Sequence, residues 1–201
     1  MPIVRQVLSV NTAQASPMMI GDRRILTGIH KRAVSSAAQP TRIAVRAMGL
    51  EGDEQSDLTV HGGLSKAVYA YPHEHYAFWQ TVRSQAQAQE WGTALPHGMM
   101  GENLTLTGLL ESDAYVGDLL KFPDCTLAIS EPRRPCYKFE AVMGFKQAVK
   151  MMAQSGYCGF YLSVRQPGTL AAGEPYELIP GPREVSIAEL FRAKMRRDTS
   201  A

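Results

Sequence analysis

Hydrophobic positions in this chain fall in short runs rather than long stripes. The runs at 3–10, 67–70, 114–122 and 125–130 are each bounded by Gly, Pro, Asp or Asn, the punctuation expected of β-strands. Alternation is clearest where Phe160, Leu162 and Val164 interleave with Tyr161, Ser163 and Arg165, which predicts a strand with one face in the core. Helical spacing enters at three places. One helix is predicted over about 73–85, after Pro72. A second, over about 145–154, places Phe145, Ala148, Val149 and Met152 on one face and stops at Gly156. Ser186, with Glu189 three residues later, forms a capping box that opens a third helix through Leu190 and Met195. The Ala/Ser/Gln-rich stretch 34–40 reads as an exposed connection.

Many short strands with Gly-rich corners and few helices predict a mostly β fold with peripheral helices, a barrel or sandwich. At 201 residues and 45% hydrophobic content the chain can bury a sizeable core. The 21 basic and 19 acidic residues give a net charge of +2 and pI near 8.4, too little field to favour a nucleic-acid polymer or a membrane surface. The start, Met-Pro-Ile-Val-Arg, lacks signal-peptide patterning, and no apolar run approaches the roughly 20 residues that span a bilayer. A cytoplasmic location is expected. No Gly-x-Gly-x-x-Gly or Walker loop occurs, so the chain carries no nicotinamide, flavin or nucleotide fingerprint of its own.

Three segments carry candidate chemistry. Gly49-Leu-Glu-Gly-Asp53 and Val60-His-Gly-Gly-Leu-Ser-Lys66 set four glycines around Asp53, His61 and Lys66. Glycine lets backbone amides approach a ligand and form an anion-binding nest beside a point charge. Two plain turns between strands are the alternative. In Met100-Gly-Glu-Asn103, Asn103 offers donor and acceptor groups that suit a purine-like or pterin-like edge, and equally suit a turn bonded to its own backbone. Glu131-Pro-Arg-Arg-Pro-Cys136-Tyr-Lys138 presents a cysteine in a proline-fixed loop beside Arg133, Arg134 and Lys138. Neighbouring positive charge favours the thiolate, which is both nucleophile and soft-metal ligand. Cys125 and Cys158 sit in apolar settings that suit core packing, and the absence of Cys-x-x-Cys spacing argues against a zinc cage. His73 and His75 are two residues apart, which does not put them on one helical face.

Taken together, GLEGDEQSDLTVHGG, KAVYAYPHEHY, GENL, YVGD and EPRRPCYK resemble the MOSC family, named for the C-terminal domain of molybdenum cofactor sulfurases, and within it the stand-alone bacterial, YiiM-like branch. The likeness runs from about 4 to 179. It implies a MOSC-type β-barrel domain over 1–181, followed by a short C-terminal helix and tail at 182–201, where relatives often carry a three-helix extension. It further implies a molybdenum cofactor of the molybdopterin type, with Cys136 as the protein ligand to the metal. By motif position, Gly52, Gly62, Gly63, Lys66 and Arg133 would hold the cofactor phosphate, and His61 and Asn103 the pterin. The implied activity is reduction of N-hydroxylated compounds such as 6-hydroxylaminopurine to amines, with electrons from an external reductase and Asp53 or His61 as proton source. The alternatives are a carrier of molybdenum cofactor or of a Cys136 persulfide, and a ligand-free β domain.

Overall fold

Valines, leucines and aromatic residues from both halves of the chain meet in one buried cluster, and the strands are those whose apolar faces supply it. The computed structural model describes residues 4–55 and 62–199. In chain order, the elements are β1 (Gln6–Thr12), β2 (Ser16–Ile20), β3 (Arg23–Thr27), β4 (Arg32–Ser36), β5 (Ile43–Arg46), β6 (Gly49–Leu50), β7 (Val68–Pro72), α1 (Tyr76–Gln85), β8 (Leu104–Thr107) and β9 (Leu119–Lys121). They continue with β10 (Thr126–Pro132), α2 (Tyr137–Met143), α3 (Ala148–Ser155), β11 (Phe160–Gln166), β12 (Gly168–Leu170), β13 (Glu177–Ile179) and α4 (Ile187–Thr199).

Among the described residues the fold is mostly β, as the pattern predicts, with four α-helices. Its main sheet runs β13-β9-β10-β11-β7-β8-β1-β4, antiparallel except for the parallel pair β7 and β8. The sheet rolls back on itself. Val7 N–H donates to Glu174 O at 3.0 Å, Gly173 N–H to Val7 O at 2.8 Å and Tyr176 N–H to Arg5 O at 3.2 Å. Those bonds lay the segment leading into β13 against β1. A small sheet β12-β5-β6 and the hairpin β2-β3 complete the fold.

Several expectations shift by a few residues or more. Residues 32–36, read partly as an exposed connection, form β4, which pairs with β1 through Ser9↔Ser36 and Thr12↔Arg32. Tertiary pairing overrides a weak local propensity here. Only Leu119–Lys121 of the run at 114–122 is strand, because 114–118 turn over the buried Asp118. Along β11, Phe160, Tyr161 and Leu162 are all buried, since the strand has β10 on one side and β7 on the other and both its faces are covered. The helix expected from residue 73 begins as a 3-10 turn, His73–His75, before α1. The one expected from 145 starts at Ala148, after Gln147 takes a left-handed φ of 77°. Helix α2, directly after Cys136, has no counterpart in the predicted elements. The capping box holds: Ser186 Oγ accepts from Glu189 N–H at 3.2 Å and Glu189 Oε2 from Ser186 N–H at 2.9 Å.

Gly159, at the entry to β11, packs where no side chain fits. Its φ is +63°, and a Cβ there would stand 2.5 Å from Ala70 O and 2.9 Å from the Tyr69 and Tyr71 rings. Gly159→Ala is therefore expected to cost about 2 kcal/mol or more, the left-handed penalty plus an overpacking one. Gly156 provides the comparison: its φ is +75° with nothing within 4 Å of a built Cβ, so Gly156→Ala carries only the conformational part, about 1 kcal/mol. Denaturant midpoints of the two variants check this; equal losses would show that the contact with β7 contributes nothing.

Candidate functional site

The turn after β3, the loop after β6, the start of β7 and the corner between β10 and α2 come together around one pocket of about 100 Å³. Cys136 stands at its edge. The residue is half-buried, extended (φ −136°, ψ 171°), and serves as the cap residue before α2. Pro132 and Pro135 restrict the backbone on either side of the arginines. Arg133 anchors this corner: its guanidinium lies 4.9 Å from the Tyr69 ring centroid and 5.2 Å from that of Phe139, and Nη1 donates to Met100 O. A buried guanidinium stays charged, and stacking on aromatic faces compensates part of its desolvation.

The 100–103 loop is built to receive it. Glu102 is buried and accepts from Tyr76 OH, Gly98 N–H (2.8 Å), Thr105 Oγ (2.8 Å) and Met100 N–H (3.0 Å). Burial raises its pKa, and the hydroxyl and amide donors oppose that shift. Asn103, the next residue, accepts at Oδ1 from Tyr69 N–H (3.0 Å) and donates through Nδ2 to Asn11 O (3.2 Å) and Asp53 Oδ2 (2.9 Å). Both of its amide hydrogens are thus used within the protein. Asp53 also accepts from Ala13 N–H at 2.9 Å and from Lys31 Nζ. Lys31, almost fully buried, has its pKa lowered by burial, against the pull of the Asp53 carboxylate.

Five sequence-derived candidates therefore share this pocket: Asp53, Lys66, Asn103, Arg133 and Cys136. Gly52, Gly62 and Gly63 are not among its lining residues, and the Gly63 amide donates to Gln55 Oε1 at 2.9 Å. His61 lies outside the described residues. Lys31 and Tyr161 also line the pocket and had no motif to mark them, and Tyr69, which lines it too, lies in the KAVYAYPHEHY stretch, where nothing singles it out. Lys31 is 22 residues from Asp53 in sequence, and only the fold brings them together. The lining holds four cations, Lys31, Lys66, Arg133 and Lys138, against two acids, Asp53 and Glu54. Such a balance suits an anionic ligand. Cys125 and Cys158 are buried in the core, where burial pushes the Cys125 thiol up to about 12 and raises that of Cys158 as well. His75 pairs with Glu111 at 2.7 Å and stacks on Tyr157, away from the pocket lining. Among the described residues no group of three or more His, Cys, Asp or Glu side chains is placed to hold a metal ion, and no helix is long and apolar enough to cross a membrane.

A mostly β domain with a half-buried thiol at the edge of a cation-lined pocket is the class of protein that fold and site define. The chain belongs to the MOSC domain family, whose model matches residues 57–177. It is 36% identical over 182 residues to the uncharacterized protein YflK of Bacillus subtilis, covering 90% of this chain and 76% of that one. To YiiM of Escherichia coli it is 37% identical over 142 residues, 71% of this chain and 61% of that one, so less than two thirds of YiiM is spanned. A protein of Gibberella moniliformis named as a reductase matches at 31% over 137 residues, 68% of this chain and 23% of its own length. The crystal structure of YiiM from Geobacillus stearothermophilus superposes with a TM-score of 0.73 at 29% identity, covering 96% of this chain and 85% of that one.

The Asn103 network gives a pH-dependent prediction. Asn103→Asp removes two donated hydrogen bonds and sets a second carboxyl against Asp53, a loss of about 2–4 kcal/mol at neutral pH. The neighbouring Asp53 carboxylate raises the pKa of the introduced carboxyl in the folded state, so the folded variant holds a proton there that the unfolded chain releases. Its deficit should be small below about pH 4 and grow as pH rises through the raised pKa. Urea unfolding of variant and parent from pH 4 to 8 measures this, and a pH-independent deficit would contradict it.

Proposed function

We propose that this protein reduces N-hydroxylated compounds, such as 6-hydroxylaminopurine, to amines, using a molybdenum cofactor held in the pocket through Cys136 and electrons from an external reductase. The observation that carries the reading is the Cys136 thiol set at the edge of a pocket with four cationic side chains. Membership of the MOSC family and the fungal relative named as a reductase support it. The donor set fits the group: one soft sulfur for the metal, and lysine side chains for a phosphate. Among the described residues no three-ligand cluster stands in the pocket, and the cofactor would bring most of the metal's ligands itself.

The reaction takes R–NHOH, two electrons and two protons to R–NH2 and water. When bound, the cofactor supplies the two-electron redox couple. Cys136 Sγ would be the protein ligand to its metal, and Lys66 and Lys138 would hold its phosphate. Arg133 holds the Cys136 corner against Tyr69 and Phe139 rather than reaching outward. Asn103 acts by fixing Asp53, and Asp53 in turn orients Lys31, whose ammonium would be a proton source at the pocket wall. The loops with Gly52, Gly62 and Gly63 carry Asp53 and Lys66 to their places.

Protein made in a host that synthesises the cofactor is expected to contain close to one molybdenum per chain and, with reduced viologen, to convert 6-hydroxylaminopurine to adenine. Cys136→Ser should lower turnover by at least about 100-fold, since a serine oxygen is a harder and far less acidic ligand, and should remove one sulfur neighbour in X-ray absorption at the molybdenum edge. Cys125→Ser and Cys158→Ser should leave the sulfur count unchanged. Verified molybdenum-loaded protein that reduces no N-hydroxylated purine or pyrimidine would overturn the reading. A persulfide on Cys136 in the same preparation would then favour a sulfur carrier.

A further inference from the structure

Glu131 stands between two lysines. Its Oε2 accepts from Lys194 Nζ at 2.8 Å, and its Oε1 lies 3.9 Å from Lys66 Nζ. Lys66 lines the pocket, whereas Lys194 belongs to α4 and does not. Both ends of this bridge are fixed. Ser130 Oγ donates to Ser65 O at 2.5 Å, which ties the turn carrying Lys66 to β10, and Lys66 Nζ sits 5.8 Å from the Tyr161 ring centroid. Helix α4 packs along β10. It is seated by the fully buried Ile187 and Phe191 and by Ala188 N–H donating to Glu111 O at 3.0 Å. Ile187, Phe191 and Lys194 are spaced i, i+4, i+7, so Lys194 lies on the inward side of the helix beside the core-packed Met195.

We infer that Lys194 is a positioning residue for the pocket: by neutralising Glu131 from the far side, it leaves the Lys66 ammonium directed at a bound anion. The inference rests on the reading that the pocket takes the phosphate of a cofactor. Without Lys194, the full carboxylate charge acts on Lys66, drawing it toward Glu131, and repels any anion beside it. Charges a few Å apart in a partly buried setting keep part of their Coulomb strength. The three side chains are 29%, 25% and 23% exposed, so solvent screening holds the effect to roughly two- to fivefold in anion affinity.

Two measurements on the full chain test it: calorimetric binding of inorganic pyrophosphate to cofactor-free protein at low ionic strength, and molybdenum per chain in protein made with cofactor supply. Lys194→Met should weaken pyrophosphate binding roughly two- to fivefold and lower molybdenum retention, and Lys194→Arg should keep both. Adding Glu131→Gln to Lys194→Met should restore binding, which a purely structural role for Lys194 would not do. Lys66→Met locates the probe: it should weaken pyrophosphate and reduce, without abolishing, the effect of Lys194→Met in that background. Unchanged affinity in Lys194→Met while Lys66→Met weakens it, or a double variant no better than the single, overturns the inference and leaves the cofactor reading standing. Parent protein that does not bind pyrophosphate, or binds it equally with Lys66→Met, overturns the anion-pocket reading and this inference with it. Should Lys194→Met fail to fold, Glu131→Gln alone decides: tighter binding is expected, and weaker binding refutes the coupling.

Discussion

Five hydrogen bonds made by Asn103 hold the frame on which the pocket is built. Its N–H donates to Tyr69 O and its carbonyl accepts from Asn11 N–H, both at 2.7 Å, while its side chain bonds the Tyr69 amide, the Asn11 carbonyl and Asp53. One residue therefore joins β1, β7 and the loop after β6 at the point where β8 enters between the two strands. A buried amide with its hydrogens donated in fixed directions tolerates little rearrangement, because each bond lost leaves a desolvated partner. The position of Lys31 follows from Asp53, that of Asp53 from Asn103, and that of Arg133 from the loop immediately before Asn103.

Glu102 shows why this loop has to be where it is. A buried carboxylate surrounded by four donors is stable only while all of them are in place, and those donors come from α1, the 98–100 turn and β8. The same turn gives its Met100 carbonyl to Arg133. Two buried charges of opposite sign, Glu102 and Arg133, are thus satisfied by a shared stretch of backbone, and the Cys136 corner inherits its place from that arrangement.

The strand-rich architecture was legible because β1, β7, β10 and β11 are long or apolar enough to show in the pattern, and the Ser186 box marked α4 unaided. Elements held mainly by their partners were not legible. Residues 32–36 have poor strand propensity and become β4 only because β1 offers its edge, and α2 starts directly from an Arg-Arg-Pro-Cys stretch that reads as loop. Of the pocket lining, Asp53, Lys66, Asn103, Arg133 and Cys136 lie in motifs that the sequence displays, while Lys31 lies in none. A lone lysine carries no signal until a carboxylate 22 residues away is folded against it. The Gly62-Gly63 pair read as an anion nest from composition, yet the Gly63 amide is taken by Gln55, a partner that spacing does not disclose.

The positive character of the pocket comes both from an excess of cations in its lining and from how the acids are paired. Asp53 is held by Lys31, Asn103 and the Ala13 amide, Glu54 by the Ala15 amide, and Glu131 by Lys194. Each carboxylate near the opening is thus claimed by a donor of the scaffold. Among the cations, Arg133 is locked between rings, while Lys66, 3.9 Å from Glu131 and over the Tyr161 ring, and Lys138 are half-buried at the wall. With a net charge of only +2 over 201 residues, the chain has no long-range field to gather anions. Selectivity for one must come from this local asymmetry, acting over distances shorter than the roughly 8–10 Å at which salt screens exposed charges.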